Sequence, residues 1–125
     1  MPTAPENDPL ENWTVQVRKG VLDLCVLNLL EGGERYGYDL VKQLADLPGF
    51  GVTEGTLYPL LSRLRVQGMV KTRLVESAEG PARKYYSLTP LGRTTAAKMS
   101  THLDELLAAC RSLRPSGKPP KSPLL

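Results

Sequence analysis

The sequence predicts a mainly α protein with a small β-hairpin, ending in a long helix that outruns its core. Three observations predict this. Four stretches carry apolar residues at helical spacing. Two β-prone runs flank a connection that contains Gly80-Pro81. The last helical stretch repeats its apolar residues by threes and fours for longer than one small core can cover. At 125 residues, 41% apolar and 23% charged, the chain is sized for one domain of ordinary globular composition.

Residues 1–14 are rich in Pro, Asn and acid and read as a flexible N-terminal segment. Within it, Leu10 and Trp13 are the candidates to pin a short helix onto the body or onto a partner subunit. From Gly20 to Glu31 the run GVLDLCVLNLLE is apolar nearly all round, so a helix there needs cover on more than one side. Gly32-Gly33 ends it. A second helix, about Gly37 to Leu47, sets Leu40, Val41, Leu44 and Leu47 on one face and Asp39, Lys42, Gln43 and Asp46 on the other. Pro48-Gly49-Phe50-Gly51 stops it and turns the chain.

The third helix is VTEGTLYPLLSRL, residues 52–64, seated by Leu57, Leu60, Leu61 and Leu64 at i, i+3, i+4, i+7. Thr53 suits its N-cap and Gly68 its far end. Pro59 is the irregularity. A mid-helix proline costs roughly 3 kcal/mol, because it donates no hydrogen bond and its ring meets the carbonyl four residues back, here Gly55. Either the helix starts late with Thr56 as cap, or its first turn is distorted around Gly55. Both leave backbone N–H groups free at its start.

Val70–Val75 and Arg83–Leu88 alternate in polarity as strands do, with 76–82 as the connection. Parity with Leu88 turns Tyr86 inward and Tyr85 outward. Three helices followed by a two-stranded hairpin is the winged helix-turn-helix order, over residues 15–88. Thr89-Pro90 then opens the last helix as cap and first helical residue. Ala96, Met99, Leu103, Leu106, Cys110 and Leu113 form a heptad seam, so 89–113 reads as a dimerisation helix. Packing onto its own domain is the alternative. The Pro- and Lys-rich residues 114–125 read as a disordered tail.

Charge is unevenly placed. The net charge is +3, yet residues 1–15 contribute −3, leaving +6 on the rest. Residues 61–84 alone hold +4, a concentration suited to a polyanion whose neutralised phosphates release counterions. Cys25 and Cys110 read as buried small hydrophobes in a reducing compartment. His102 is the only histidine, no ligand-spaced pair accompanies it, and no acid, base or nucleophile set suggests a catalyst. Neither a metal nor a cofactor is expected. No apolar run approaches the ~18 residues of a membrane span, and the acidic N-terminus is unlike a signal peptide, so a cytoplasmic protein is expected.

Opposite the leucine stripe of the third helix lie Thr53, Glu54, Thr56, Tyr58, Ser62, Arg63 and Gln67. Short hydroxyls approach phosphates or base edges without bulk, tyrosine adds a hydroxyl and a flat ring, and arginine offers a fork. A recognition helix enters the major groove N-terminal end first, where these small residues stand. Arg83 and Lys84 follow the hairpin tip, with Arg73 on the facing strand. They suit the phosphate backbone, or serve to guard a sheet edge.

The segments YGYDL (36–40), VTEGTLYPLLSRLRVQGMV (52–70) and GPARKYYSLTPLG (80–92) closely resemble the PadR-like family of bacterial transcriptional regulators, in order and spacing from about Lys19 to Arg93. The resemblance implies a homodimeric winged helix-turn-helix repressor on operator DNA, often released by a small-molecule effector such as a phenolic acid or a drug. Carried over by position, it implies DNA contact from Thr53, Thr56 and Tyr58. It also implies a phosphate contact from Tyr36 or Tyr38, and wing contacts from Arg83 and Lys84. The chain's length fits members with a single C-terminal dimerisation helix. One departure stands out: short members resembling drug sensors stack flat ligands on a tryptophan of the last helix, and here that helix has no Trp, Phe or Tyr. The expected function is a sequence-specific DNA-binding regulator, a repressor on a pseudo-palindromic operator. The alternative is a winged-helix protein–protein module that binds no DNA.

Overall fold

The computed structural model describes residues 8–115. The expected tail beyond residue 115 and the first seven residues of the N-terminal segment lie outside the described residues. The elements run α1 (Pro9–Leu30), β1 (Arg35–Tyr36), α2 (Gly37–Ala45), α3 (Glu54–Val66), β2 (Val70–Ser77), β3 (Gly80–Leu88) and α4 (Pro90–Ser112).

The first helix begins eleven residues earlier than its apolar run. Asp8 caps it, accepting a hydrogen bond from the Leu10 amide at 3.0 Å, with Pro9 as first helical residue and Glu11 in the first turn. Residues 9–14, part of the segment that reads as flexible with Leu10 and Trp13 as candidates to pin a short helix, are helical and continuous with the rest of α1. Their apolar members Leu10 and Trp13 stay exposed on this protomer, so Trp13 does not anchor onto its own body. The second half of α1 is the buried one, through Leu22, Leu24, Val26, Leu27 and Leu30.

Around it the core closes with Leu40, Val41 and Leu44 of α2, the four leucines of α3, Val70, Tyr86 and Leu88 of the sheet, and Ala96 of α4. Tyr86 is inward as parity requires and Tyr85 is half-exposed. α2 stops at Ala45 instead of Leu47, because Pro48 cannot sit in a continuing helix, but Leu47 and Phe50 still pack on the core. Gly49 and Gly51, both at positive φ, carry the turn between α2 and α3.

α3 starts at Glu54 with Thr53 as N-cap, so it does not start late at Thr56. The Thr53 carbonyl accepts from the Thr56 and Leu57 amides at 3.0 and 3.1 Å. Pro59 thus stands past the first turn, on the exposed side, with no N–H to offer the Gly55 carbonyl.

The hairpin is longer than its alternating runs and turns at Ala78-Glu79, with an irregularity between Val75 and Ser77. β1 adds a third strand. It pairs antiparallel with β3 through Arg35 opposite Tyr86 and Tyr36 opposite Tyr85, giving the order β1-β3-β2. Two residues carry no periodicity, so this strand leaves no pattern in the sequence.

α4 is capped by Thr89, whose side chain accepts from the Gly92 amide at 3.0 Å and donates to the Gly68 carbonyl at 2.6 Å. Its early turns pack on α1. Ala96 is buried, and Met99 and Leu103 are partly covered by the core. Beyond them the seam leaves the protomer: Leu106 is 53% exposed, Leu113 84% exposed, and Cys110 is exposed too. Cys110 is thus not buried by its own protomer, because α4 outruns the core. Cys25 is half-buried, and burial raises its thiol above the ordinary range.

Candidate nucleic-acid interface

The leucine stripe turns one side of α3 into the core and leaves its N-terminal end standing out. Thr53, Glu54, Gly55, Thr56, Tyr58 and Pro59 are all exposed, while Leu57 between them is buried. Thr56 and Tyr58 are not on one stripe, being about 200° apart around the helix. They share an end rather than a face, and a helix end that enters a groove is approached along both flanks. The unpaired N–H groups of the first turn point the same way and favour an anion.

Tyr58 turns toward the sheet side. Burial holds its phenol above the usual range, helped by Glu54, Tyr36 and Tyr38 nearby, so at neutral pH it remains a hydrogen-bond donor. Tyr86, below it, is likewise raised by burial and then by Tyr58. Tyr36 stands at the junction of this aromatic group. Its ring lies 6.0 Å from that of Tyr38 and 5.6 Å from that of Tyr85, tilted by 35° to each. Tyr38 is exposed beside it.

The arginines divide into tied and free. Arg63 makes a two-point ion pair with Asp23 of α1, at 2.8 and 3.0 Å. It lies seven residues, roughly 10 Å, beyond Thr56, where α1 is alongside. The structure thus brings Thr53, Thr56 and Tyr58 together at one end and holds Arg63 away from them, on the protein. Arg73 is held in the same manner by Glu34, with both hydrogen bonds at 2.7 Å, and lies 5.6 Å from the centre of the Tyr85 ring. That pair draws the Glu34 carboxyl below its usual range. Arg35 donates to the Leu29 carbonyl and to Gln43, and Arg93 pairs with Glu31. Arg83 and Lys84 have no acidic partner among the described residues. Arg83 lies over the Tyr36 ring, 5.0 Å from its centre. The local charge of residues 61–84 is therefore less available than a count suggests: Arg63 and Arg73 are tied, while Lys71, Arg83 and Lys84 on the wing strands and Arg65 on α3 form no ion pair among the described residues.

Sequence reasoning missed the partners of Arg63 and Arg73 and the seat of Arg83 on Tyr36. Asp23 and Glu34 lie 40 and 39 residues from the arginines they bind, beyond the reach of any spacing rule.

Away from this surface, α1 and α4 flank an apolar groove of about 420 Å³. Val17, Val21 and Leu24 line one side, Met99, Leu103 and Leu106 the other, with His102 among the polar residues and no Trp, Tyr or Phe. Among the described residues no group of three or more His, Cys, Asp or Glu is placed to hold a metal ion, and no helix is long and apolar enough to cross a membrane.

Known proteins share this arrangement. The profile of the Transcriptional regulator PadR-like family matches residues 26–98. A transcriptional regulator of Mycobacterium tuberculosis is 32% identical over 93 residues, covering 73% of this chain and 83% of that protein. A PadR family transcriptional regulator from Eggerthella lenta superposes with a TM-score of 0.78 at 31% identity, over 88% of this chain and 96% of its own. A Streptococcus transcriptional regulator does so with 0.67 at 37% identity, over 78% and 96%. Regulators of this family generally act as DNA-binding dimers, and they are transcription factors rather than enzymes. On fold, motif and likeness together, the chain belongs to the PadR-like family of DNA-binding transcriptional regulators.

Proposed function

We propose that the protein is a repressor that binds a pseudo-palindromic operator as a homodimer. The N-terminal end of α3 enters the major groove, and the wing lies on the adjacent backbone. The observation that carries this is the exposed end of α3, with Thr53, Thr56 and Tyr58 around it, standing beside a wing whose Arg83 and Lys84 have no acidic partner. Thr53, Thr56 and Tyr58 read bases or fix the helix on phosphate, Tyr38, the more exposed of the Tyr36–Tyr38 pair, adds a phosphate contact, and Arg83 and Lys84 supply affinity with little sequence information. Arg63 is left out of this reading because its two terminal nitrogens already pair with Asp23, about 10 Å along α3 from Thr56.

Two copies join through the part of α4 that its own core does not cover. Leu106, Cys110 and Leu113 continue the seam that Met99 and Leu103 begin, and Leu10, Trp13 and Val17 of α1 are exposed as well. Joined copies set their recognition helices roughly 34 Å apart, one turn of DNA. A small-molecule effector is proposed for the groove between α1 and α4. Its aliphatic lining suits an apolar molecule better than a flat dye, which needs rings to stack on.

Fluorescence anisotropy on duplexes from the upstream region of the chain's own gene tests the reading. Tyr58→Ala is expected to lower affinity about tenfold, the loss of one hydrogen bond to a charged or polar DNA group. Affinity is expected to fall steeply and linearly on a log–log plot as salt rises. Binding to no duplex, with an intact fold, would instead favour a winged-helix module that assembles with proteins.

A further inference from the structure

The two cation–aromatic contacts of the wing are alike in geometry and unlike in charge. Arg73 rests by Tyr85 and is closed off by Glu34. Arg83 rests over Tyr36 and forms no ion pair among the described residues, although Glu76 and Glu79 line the same open cleft at the hairpin tip. Arg83 also lies where the strand pairing gives way, since it pairs with Val75 and the irregularity between Val75 and Ser77 begins there. The ladder holds the Arg83 backbone but does not choose a rotamer for this long, exposed side chain, and an unaimed arginine loses rotamer freedom when it binds.

Tyr36 is fixed on several sides. Its backbone pairs with Tyr85 across β1 and β3, and it forms the N-cap of α2. Its ring is set between those of Tyr38 and Tyr85. The next residue, Gly37, is packed so closely that a Cβ there would stand 2.8 Å from the Tyr86 ring and 3.4 Å from the Lys84 carbonyl oxygen. The joint between α2 and the sheet can hardly shift, so the ring over which Arg83 lies is a stationary platform.

We infer that Tyr36 is a positioning residue of the wing, whose ring holds the Arg83 guanidinium ready for a DNA phosphate. This rests on the reading of Arg83 as a DNA contact. It assigns Tyr36 a task that its ring performs, where a direct phosphate contact would need its hydroxyl. Cation–π attraction requires only the ring face.

The test compares Tyr36→Phe, Tyr36→Leu, Arg83→Ala and the double variant Tyr36→Leu/Arg83→Ala, by anisotropy with a fluorescein-labelled duplex over a range of salt. Thermal unfolding of each variant accompanies it. Arg83→Ala is expected to flatten the salt slope by about one. Tyr36→Phe should match the parent protein, while Tyr36→Leu should move the slope in the same direction as Arg83→Ala and lower affinity about threefold or more. The double variant should be no weaker than Arg83→Ala alone, since an unseated arginine and an absent one lose the same contact. If Tyr36→Phe is as weak as Tyr36→Leu, the hydroxyl is the working group and the inference is overturned. Losses that multiply in the double variant overturn it too, because Tyr36 then acts apart from Arg83. An unchanged slope in Arg83→Ala overturns the DNA contact itself, and with it the platform.

Discussion

Replacing Leu106 and Leu113 together by lysine is expected to give a folded monomer whose operator affinity is at least about a hundredfold weaker. Both side chains stand largely in solvent on the protomer, at 53% and 84% exposure, so their loss takes little from the protomer's own core. Lysine is a good helix former and suits the C-terminal end of α4, so the helix itself is kept. In a two-fold seam, however, each lysine brings charge into the apolar contact of both copies. A dimer on two half-sites gains about 10²–10⁴ in affinity over one reading head, which separate monomers forfeit. The added positive charges would by themselves strengthen attraction to DNA, so a fall in affinity cannot be assigned to net charge. Sedimentation gives the mass, and anisotropy on the operator gives the affinity. Trp13, the only tryptophan, supplies a third readout through its emission, which should shift to the red as the exposed stripe of α1 loses its cover. A variant that stays dimeric would remove α4 from the interface.

Gly92→Ala is expected to be the most damaging glycine-to-alanine change among the described residues. A Cβ on Gly92 would overlap the Met69 carbonyl oxygen and stand 2.9 Å from its carbonyl carbon, with Leu88 at 3.1 Å on another side. The obstacle is backbone, and it is fixed backbone. The Met69 carbonyl accepts from the Thr89 amide at 3.1 Å, and the Met69 amide donates to the Leu64 carbonyl. The turn after α3 and the start of α4 are therefore locked together where the methyl would sit. Overpacking a core costs about 1–3 kcal/mol and sometimes more. With no flexible side chain to give way to it, this methyl belongs at the upper end, about 3 kcal/mol. For a domain of this size that is a fall in Tm of roughly 10–20 °C, read by calorimetry. Alanine is otherwise the better helix residue, so helix propensity alone predicts the opposite sign. Gly20 is the internal control. It also lies within a helix, a Cβ there meets nothing within 4 Å, and Gly20→Ala should be neutral or slightly stabilising.

The leucines of α3 announced their helix and its buried face because a stripe at i, i+3, i+4, i+7 has one physical use. Leu88 and Tyr86 announced their side of the sheet by parity alone. The start of α1 went unread because residues 9–20 are too polar for an apolar stripe. Its real signal was the Asp8-Pro9 pair, a cap followed by the one residue that loses nothing at the first helical position. At the candidate site, the residue types at the end of α3 were legible and the state of the arginines was not. Arg63 and Arg83 look alike in a sequence, and only the fold shows that Asp23 reaches one while an aromatic ring seats the other. Chemistry made by neighbours in sequence could be read, and chemistry made by distant partners had to wait for the fold.

The order of elements along the chain also has a consequence for how the protein is made. α4 follows the whole winged domain, so a ribosome produces the surface proposed to read DNA before it produces the helix proposed to join two copies. With α4 as the main joining element, a product released near Thr89 would carry α3 and the wing but only the α1 part of the proposed pairing surface. It would also lack Ala96, Met99 and Leu103, which close the core over α1. Without the α4 seam such fragments are expected to pair poorly with intact chains and to hold one half of an operator at a time. Interrupted translation would then lower the dose of regulator without poisoning what remains.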